Sequence, residues 1–301
     1  MGADPELMQQ VKTLPELLRK QGLQHVFFAI LLMFVQWGME GVKWRLMFSS
    51  TFKMPWGVAL RSVFSGLAFS MITPNRVGEF AGRVLYLPHE FRMKGTAFTF
   101  ISNLGQLLIT LLVGCIGLFS DYHHFEKLLE PHGLVPVLQV LYWVTPVFVL
   151  GVLFLYFSGS RWLGQLWKLK WLNRYREQIE VIDSLSLSVL IYVLCWSGLR
   201  YLIFILQYGV LFSLSGELPH PLSLAMATSM LFLWLSIVPT FSIAELGIRW
   251  QFAYWLFTPV SMNYPLILLV VALVWFINLI LPAMIGSFIL FFFKPFGRSA
   301  K

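Results

Sequence analysis

Apolar residues recur along the chain in runs of about 18 to 25, the length a helix needs to cross the roughly 30 Å hydrocarbon layer of a bilayer. These runs fall at about 24 to 42, 56 to 73, 96 to 120, 134 to 158, 185 to 214, 221 to 239 and 264 to 293, and each predicts a helix. Two shorter helices are predicted at roughly 75 to 92 and 242 to 258, after Pro74 and Pro239.

Composition turns this pattern into a fold class. Of 301 residues, 58% are hydrophobic and 17% aromatic but only 12% charged, which leaves too little polar surface to face water on every side. The expectation is an all-α integral membrane protein, a polytopic helical bundle forming a single transmembrane domain over residues 1 to 301. The net charge of +8 would suit nucleic acid, but the Lys and Arg residues gather in short connections between apolar runs, which is a topology signal and argues for no nucleic-acid partner. Cys115 and Cys195 both lie within apolar runs and read as packing residues. The opening "MGADPELMQQ" lacks a basic start followed by an apolar core, so no cleaved signal peptide is expected.

The distribution of cations gives an orientation. Arg161, Lys168, Lys170, Arg174 and Arg176 in one connection, and Lys294, Arg298 and Lys301 in the tail, place both on the cytoplasmic side. The acidic "SDYHHFEKLLEPHG" and the stretch 215 to 220, without Lys or Arg, face outward, and the N-terminus is expected outside. The stretches 43 to 61 and 83 to 94 are both basic although an apolar run lies between them, so that run and the helix after it predict a hairpin that enters and leaves on the cytoplasmic side. By the same reasoning residues 221 to 258 form a hairpin entering from outside.

The two hairpins resemble each other. "SMITPNRVGEFAGR" and "SIVPTFSIAELGIR" share a serine, a proline, a β-branched residue, a small residue, a glutamate, a bulky apolar residue and an arginine four positions after the glutamate. Pro74, Glu79 and Arg83 thus answer to Pro239, Glu245 and Arg249, and the later phrases "FISNL" and "WFINL" pair Asn103 with Asn278. With opposite loop charges, this predicts an inverted internal repeat: a first copy at about 24 to 120, a connecting helix at about 134 to 158, and a second copy at about 185 to 293.

The repeated motif carries the candidate chemistry. Thr73 reads as a helix cap with Pro74 at the first helical position, and Ser242 and Glu245 have capping-box spacing. Glu79 and Arg83 have the favoured i, i+4 order for an ion pair, with Arg76 on the same face. In water such a pair is worth about 0.2 to 0.5 kcal/mol. At membrane depth a lone charge costs several kcal/mol, so each needs a partner or a water-filled cavity. Two copies predict one polar chamber lined by Glu79, Arg83, Glu245 and Arg249. Its guanidinium groups, from Arg83, Arg249 and Arg76, suit a phosphate-bearing headgroup, and the glutamates balance them when the chamber is empty. The bland alternatives are self-satisfied pairs locking the hairpins together and interfacial charges reaching for headgroups.

Other polar residues are weaker signals. Asn103, Gln106 and Asn278 either line the chamber or bond helix to helix. Arg200 lies in mid-span and needs a partner that the sequence does not identify. His123, His124 and His132 with Asp121 lack zinc-type spacing and read as an exposed loop, so no metal is expected. The chain has no nucleotide-binding Gly-rich loop, no HExxH and no GxSxG, so no cofactor and no catalytic residue are assigned.

Taken together, "VKWRLMF" (Val42 to Phe48), "TPNRVGEFAGRVLYL" and "PTFSIAELGIR" resemble the transmembrane region shared by lysylphosphatidylglycerol synthases and standalone flippase-like proteins, over roughly residues 14 to 293. The resemblance implies movement of a modified phospholipid or lipid-linked sugar between leaflets of a bacterial cytoplasmic membrane. It places the site at Arg76, Glu79, Arg83, Glu245 and Arg249, and makes membrane lipids the partners, with a homo-oligomer or a partner subunit also compatible. Two departures stand out: the soluble aminoacyl transferase domain of the synthases is absent from this sequence, and so is the additional span that usually precedes the "LPELLRK" helix. Lipid aminoacylation is therefore not expected. Two other classes fit the residues: an intramembrane lipid headgroup transferase with Glu79 or Glu245 as general base, and a non-catalytic membrane scaffold or subunit.

Overall fold

The computed structural model describes residues 15, 22–165, 181–182, 185–216, 218–237, 244–261 and 263–293, without the side chains of 75, 159–165, 244 and 245. The expected "LPELLRK" helix, the basic connection from Lys168 to Arg176, the turn at Pro239 and Ser242 and the basic tail from Lys294 lie outside the described residues.

Among the described residues the chain forms helices and no strands. Five stretches among the described residues are long and apolar enough to cross a bilayer: Leu23–Phe48, His89–Ser120, Val135–Ser158, Leu187–Ser215 and Tyr264–Phe292. The chain is an all-α integral membrane protein. Large apolar side chains such as Phe28, Trp143, Val147, Leu202 and Phe288 stay more than half exposed on these helices, as they must where the surrounding medium is lipid rather than water.

The helices are α1 (Leu23–Phe48), α2 (Trp56–Met71), α3 (Gly78–Val84), α4 (Arg92–Ser120), α5 (Tyr122–Leu129), α6 (Val135–Gln165), α7 (Leu187–Phe212), α8 (Pro221–Ile237), α9 (Ala244–Phe257), α10 (Tyr264–Trp275) and α11 (Leu281–Phe292). With 16 residues, α2 extends only about 24 Å at 1.5 Å per residue, short of the hydrocarbon thickness.

The chain divides into two compact units: Met1–Val35, Thr110–Pro146 and Tyr201–Asn278 form one, and Gln36–Ile109, Val147–Arg200 and Leu279–Lys301 the other. In the second unit α2 packs against α3 and against α11. The approach is close enough that only glycine fits at two contacts: a Cβ on Gly82 would stand 2.4 Å from the Ser65 carbonyl oxygen, and one on Gly286 would lie in the Phe64 carbonyl. In the first unit α8 packs on α9, and α9 on α10 and α5.

Three predicted elements come out differently. The helix expected at 75 to 92 is a 3₁₀ turn at Pro74–Arg76, the short α3, and a second 3₁₀ turn at His89–Phe91, because Pro88 lacks the N–H that would carry α3 onward. Thr73 stands at the N-cap of the first turn with Pro74 after it, but its hydroxyl makes no cap bond there: it donates to the Phe69 carbonyl (3.0 Å) and accepts from the Gly78 amide (2.7 Å), joining the end of α2 to the start of α3. The segment after Asp121, expected as a loop, is a helix, α5, with Phe125 and Leu129 buried beneath exposed His123 and His124.

The last apolar run is interrupted by a π turn at Phe276–Ile280. Two features explain it: the Asn278 side chain donates to the Val274 carbonyl at 2.9 Å, and Pro282 has no N–H for the Asn278 carbonyl.

Candidate functional site

Five ionisable side chains are buried together in the second unit. Glu40 and Lys43 come from α1, Glu79 and Arg83 from α3, and Arg200 from α7. Their exposures are 1%, 0%, 8%, 1% and 6% of the free residue, so water reaches them little. An unpaired ion in such a place costs several kcal/mol, and the arrangement reflects that penalty.

Glu40 is the hub. Its Oε1 accepts from Arg83 Nη2 at 2.9 Å and from the Ser102 hydroxyl at 2.7 Å. Its Oε2 accepts from Lys43 Nζ at 2.8 Å and from Arg200 Nη1. Four donors thus fill the four lone-pair positions of one carboxylate. Lys43 also donates to the Ser197 hydroxyl at 3.2 Å. Arg83 Nη2 is shared with Glu79 Oε1 at 2.5 Å, and Glu79 Oε2 accepts from Asn103 Nδ2 at 3.2 Å.

Aromatic rings close the cluster on its apolar side. The Arg83 guanidinium lies 5.4 Å from the Trp44 ring centroid and that of Arg200 4.8 Å from Trp37, where the negative ring face offsets part of the lost hydration. Local sequence makes the geometry available. Glu40 and Lys43 share a face of α1 at i, i+3; Glu79 and Arg83 share a face of α3 at i, i+4; Ser102 and Asn103 are adjacent on α4.

Of the residues expected at a polar site, Glu79, Arg83 and Asn103 come together here. Arg76 is exposed, in the turn before α3, and holds a left-handed backbone at φ 57°, uncommon for a residue with a Cβ. Arg249 and Asn278 belong to the first unit. There the Arg249 guanidinium lies 5.9 Å from the Phe232 ring, and Asn278 donates to Gln207 Oε1 at 2.9 Å while Gln207 donates to the Ala29 carbonyl at 2.7 Å. Glu245 starts α9, with its side chain outside the described residues. The partner that Arg200 requires is Glu40.

Sequence reasoning missed Glu40 and misread Lys43. The apolar run was ended at residue 42, so Lys43 counted as a loop cation, whereas α1 continues to Phe48. A signal was present: Glu40 and Lys43, at ion-pair spacing, interrupt an apolar run of membrane length, and such residues are functional candidates by default. Among the described residues no group of His, Cys, Asp and Glu could hold a metal ion.

Comparison of the chain with protein-family models, with curated proteins and with solved structures gives no match. Its class therefore rests on its own architecture: an all-α integral membrane protein with a charged centre buried among its helices.

Proposed function

We propose that the protein binds an anionic or modified lipid headgroup and moves it between leaflets, in the manner of the flippase-like family it resembles. The observation that carries this is the buried cluster of Glu40, Lys43, Glu79, Arg83 and Arg200. Charges of that number are costly inside a bilayer protein, and transporters keep them where a polar substrate must pass. Three cations against two carboxylates leave the cluster attractive to anions, and Arg forks match phosphate oxygens.

In this reading α2 with α3, and α8 with α9, are two re-entrant hairpins of an inverted repeat. The short first arm of the first hairpin, α2, supports it, and so does a parallel in hydrogen bonding. Glu40, on the helix before the first hairpin, accepts from Ser102 on the span after it; Gln207, on the helix before the second, accepts from Asn278 on the span after that. The Lys- and Arg-rich connections then face the cytoplasm of a bacterial inner membrane.

A scaffold reading is favoured by one observation, that Glu79 is already paired with both Arg83 and Asn103. Reconstitution separates the two. Vesicles holding the full chain and a fluorescent acidic phospholipid should exchange label between leaflets faster than protein-free vesicles, and Asn103→Ala or Arg83→Gln should slow exchange by about tenfold, the size expected when one charge-assisted contact of 1.4 kcal/mol or more is lost. Equal rates for wild type, variants and empty vesicles would leave only the scaffold.

A further inference from the structure

The end of α4, the start of α5 and one face of α6 border a groove of about 970 Å³ in the first unit. Pro136, Gln139, Val140, Trp143 and Val144 line it from α6 at i, i+3, i+4, i+7 and i+8, so a single helical face forms a wall about 12 Å long. The groove starts where two bilayer-length stretches end, His89–Ser120 and Val135–Ser158, and runs along the second toward its middle. Its lining changes on the way: Ser120, Asp121 and Gln139 bring polar atoms to one end, and Val140 and Val144, 59% and 53% exposed, bring apolar surface beyond.

Four aromatic rings and one carboxylate meet in the groove. Tyr142 lies 4.2 Å from Phe119, 4.9 Å from Tyr122 and 5.3 Å from Trp143 between ring centroids, and Trp143 is 73% exposed. Asp121 precedes α5, and its side chain makes no cap bond to that helix. His123, also in the lining, is engaged with Glu126 at 3.3 Å. Among the described residues no Lys or Arg lines the groove, and Lys127 on α5 is outnumbered by Glu126 and by Glu130 just after it. An interfacial aromatic belt accounts for the rings but not for a carboxylate set among them.

We infer that this groove is a binding site for an amphiphilic quaternary ammonium cation, its head between Asp121 and the rings of Tyr122, Tyr142 and Trp143 and its chain along Val140 and Val144. Ring faces and a carboxylate together attract a cation whose charge is spread over methyl groups. A primary ammonium would bring three N–H donors, and the lining offers them few acceptors besides Asp121, so part of its hydration would be lost without replacement. A zwitterionic phospholipid fits less well, because its phosphate would lie near Asp121 with no Lys or Arg in the lining to receive it. The occupant is therefore a simple cation with an apolar chain. The site shares no residue with the cluster around Glu40, and it does not rest on the transport reading.

The probes are hexyltrimethylammonium, tetramethylammonium, which is the head without the chain, and hexylammonium, which is the chain on a primary head. The purified full chain in neutral detergent is titrated with each by calorimetry, and the heat of the same titration into empty micelles is subtracted. Wild type should bind hexyltrimethylammonium at least about tenfold more tightly than tetramethylammonium, since the chain leaves water for apolar surface. It should bind it at least about threefold more tightly than hexylammonium. Asp121→Asn and Trp143→Ala, neither in the core, should each weaken it by about tenfold. A wild type that adds no heat to that of empty micelles, or that takes hexylammonium equally or better, overturns the inference without any variant. Equal binding by wild type and Asp121→Asn would do the same, leaving partition onto apolar surface alone. Short-chain phosphatidylcholine, which carries the same trimethylammonium head beside a phosphodiester, should displace the probe at least about tenfold less well than hexyltrimethylammonium itself. Equal displacement would overturn the choice of a simple cation and make the groove a phospholipid site.

Discussion

Arg83 and Glu40 stand 43 residues apart in sequence and 2.9 Å apart in space, joined where water barely reaches either. Removing one member of such a pair leaves the other as an uncompensated buried charge. Glu40→Gln should therefore cost about 3 to 5 kcal/mol, and more than Glu79→Gln, since Glu40 serves three cations and Glu79 one. Reversible unfolding in mixed detergent micelles measures the difference. A cycle with Arg200→Gln should show coupling of roughly 1 to 3 kcal/mol, and additive losses would contradict a shared network.

Backbone contact in the second unit gives a sharper structural test. Gly82→Ala puts a methyl group 2.4 Å from the Ser65 carbonyl oxygen, and Gly286→Ala drives one into the Phe64 carbonyl. Neither neighbour is a flexible side chain, so α2 must separate from α3 or from α11. Each change should cost about 2 kcal/mol or more. Gly151→Ala, on α6 with nothing within 4 Å of the added carbon, should be neutral or slightly stabilising, by up to about 1 kcal/mol. Similar midpoints for all three variants would mean that the close approach is not real.

The fold was legible in proportion to how local its signals are. Apolar runs of bilayer length marked every long helix, because burial in lipid requires them regardless of tertiary arrangement. The Glu79 and Arg83 pair was legible too, being made within one helical turn. Glu40 was legible only as a charge that interrupts an apolar run; its place as hub was not, since that comes from the convergence of α3, α4 and α7, a long-range relation that one sequence does not display. The break near Pro88 and the π turn around Asn278 were missed for another reason. Both arise where a proline's lost N–H competes with an apolar pattern that continues through it.

In the first unit, Asn278 links α7 to the π turn through Gln207. Asn278→Leu should cost about 0.6 to 2 kcal/mol, the range for a hydrogen bond between membrane helices. Replacing Gln207 as well should cost less than replacing it alone, since its bond to Asn278 is already gone and only the one it donates to the Ala29 carbonyl is left to lose. Thermal denaturation of the two single variants and the double would decide it. A double variant as unstable as the sum of the singles would show that the amides act separately.

Arg76 is the place where stability and function should separate. Its φ of 57° lies in the left-handed region, which costs roughly 1 kcal/mol or more for a residue with a Cβ and nothing for glycine. Arg76→Gly relieves that strain in the folded chain, at the expense of a looser unfolded one and of the interaction its side chain makes, and should change stability by no more than about 1 kcal/mol in either direction. Strained residues persist where something other than stability keeps them. Arg76 is exposed in the turn just before the helix that carries Glu79 and Arg83, and in the proposed transport its guanidinium meets the headgroup ahead of the buried centre. Arg76→Gly should then slow lipid exchange by several-fold, more than that small change in stability explains, and Arg76→Lys, which keeps the charge but not the fork, should recover only part of the rate. A glycine variant that is both as stable and as fast as wild type would remove Arg76 from the pathway.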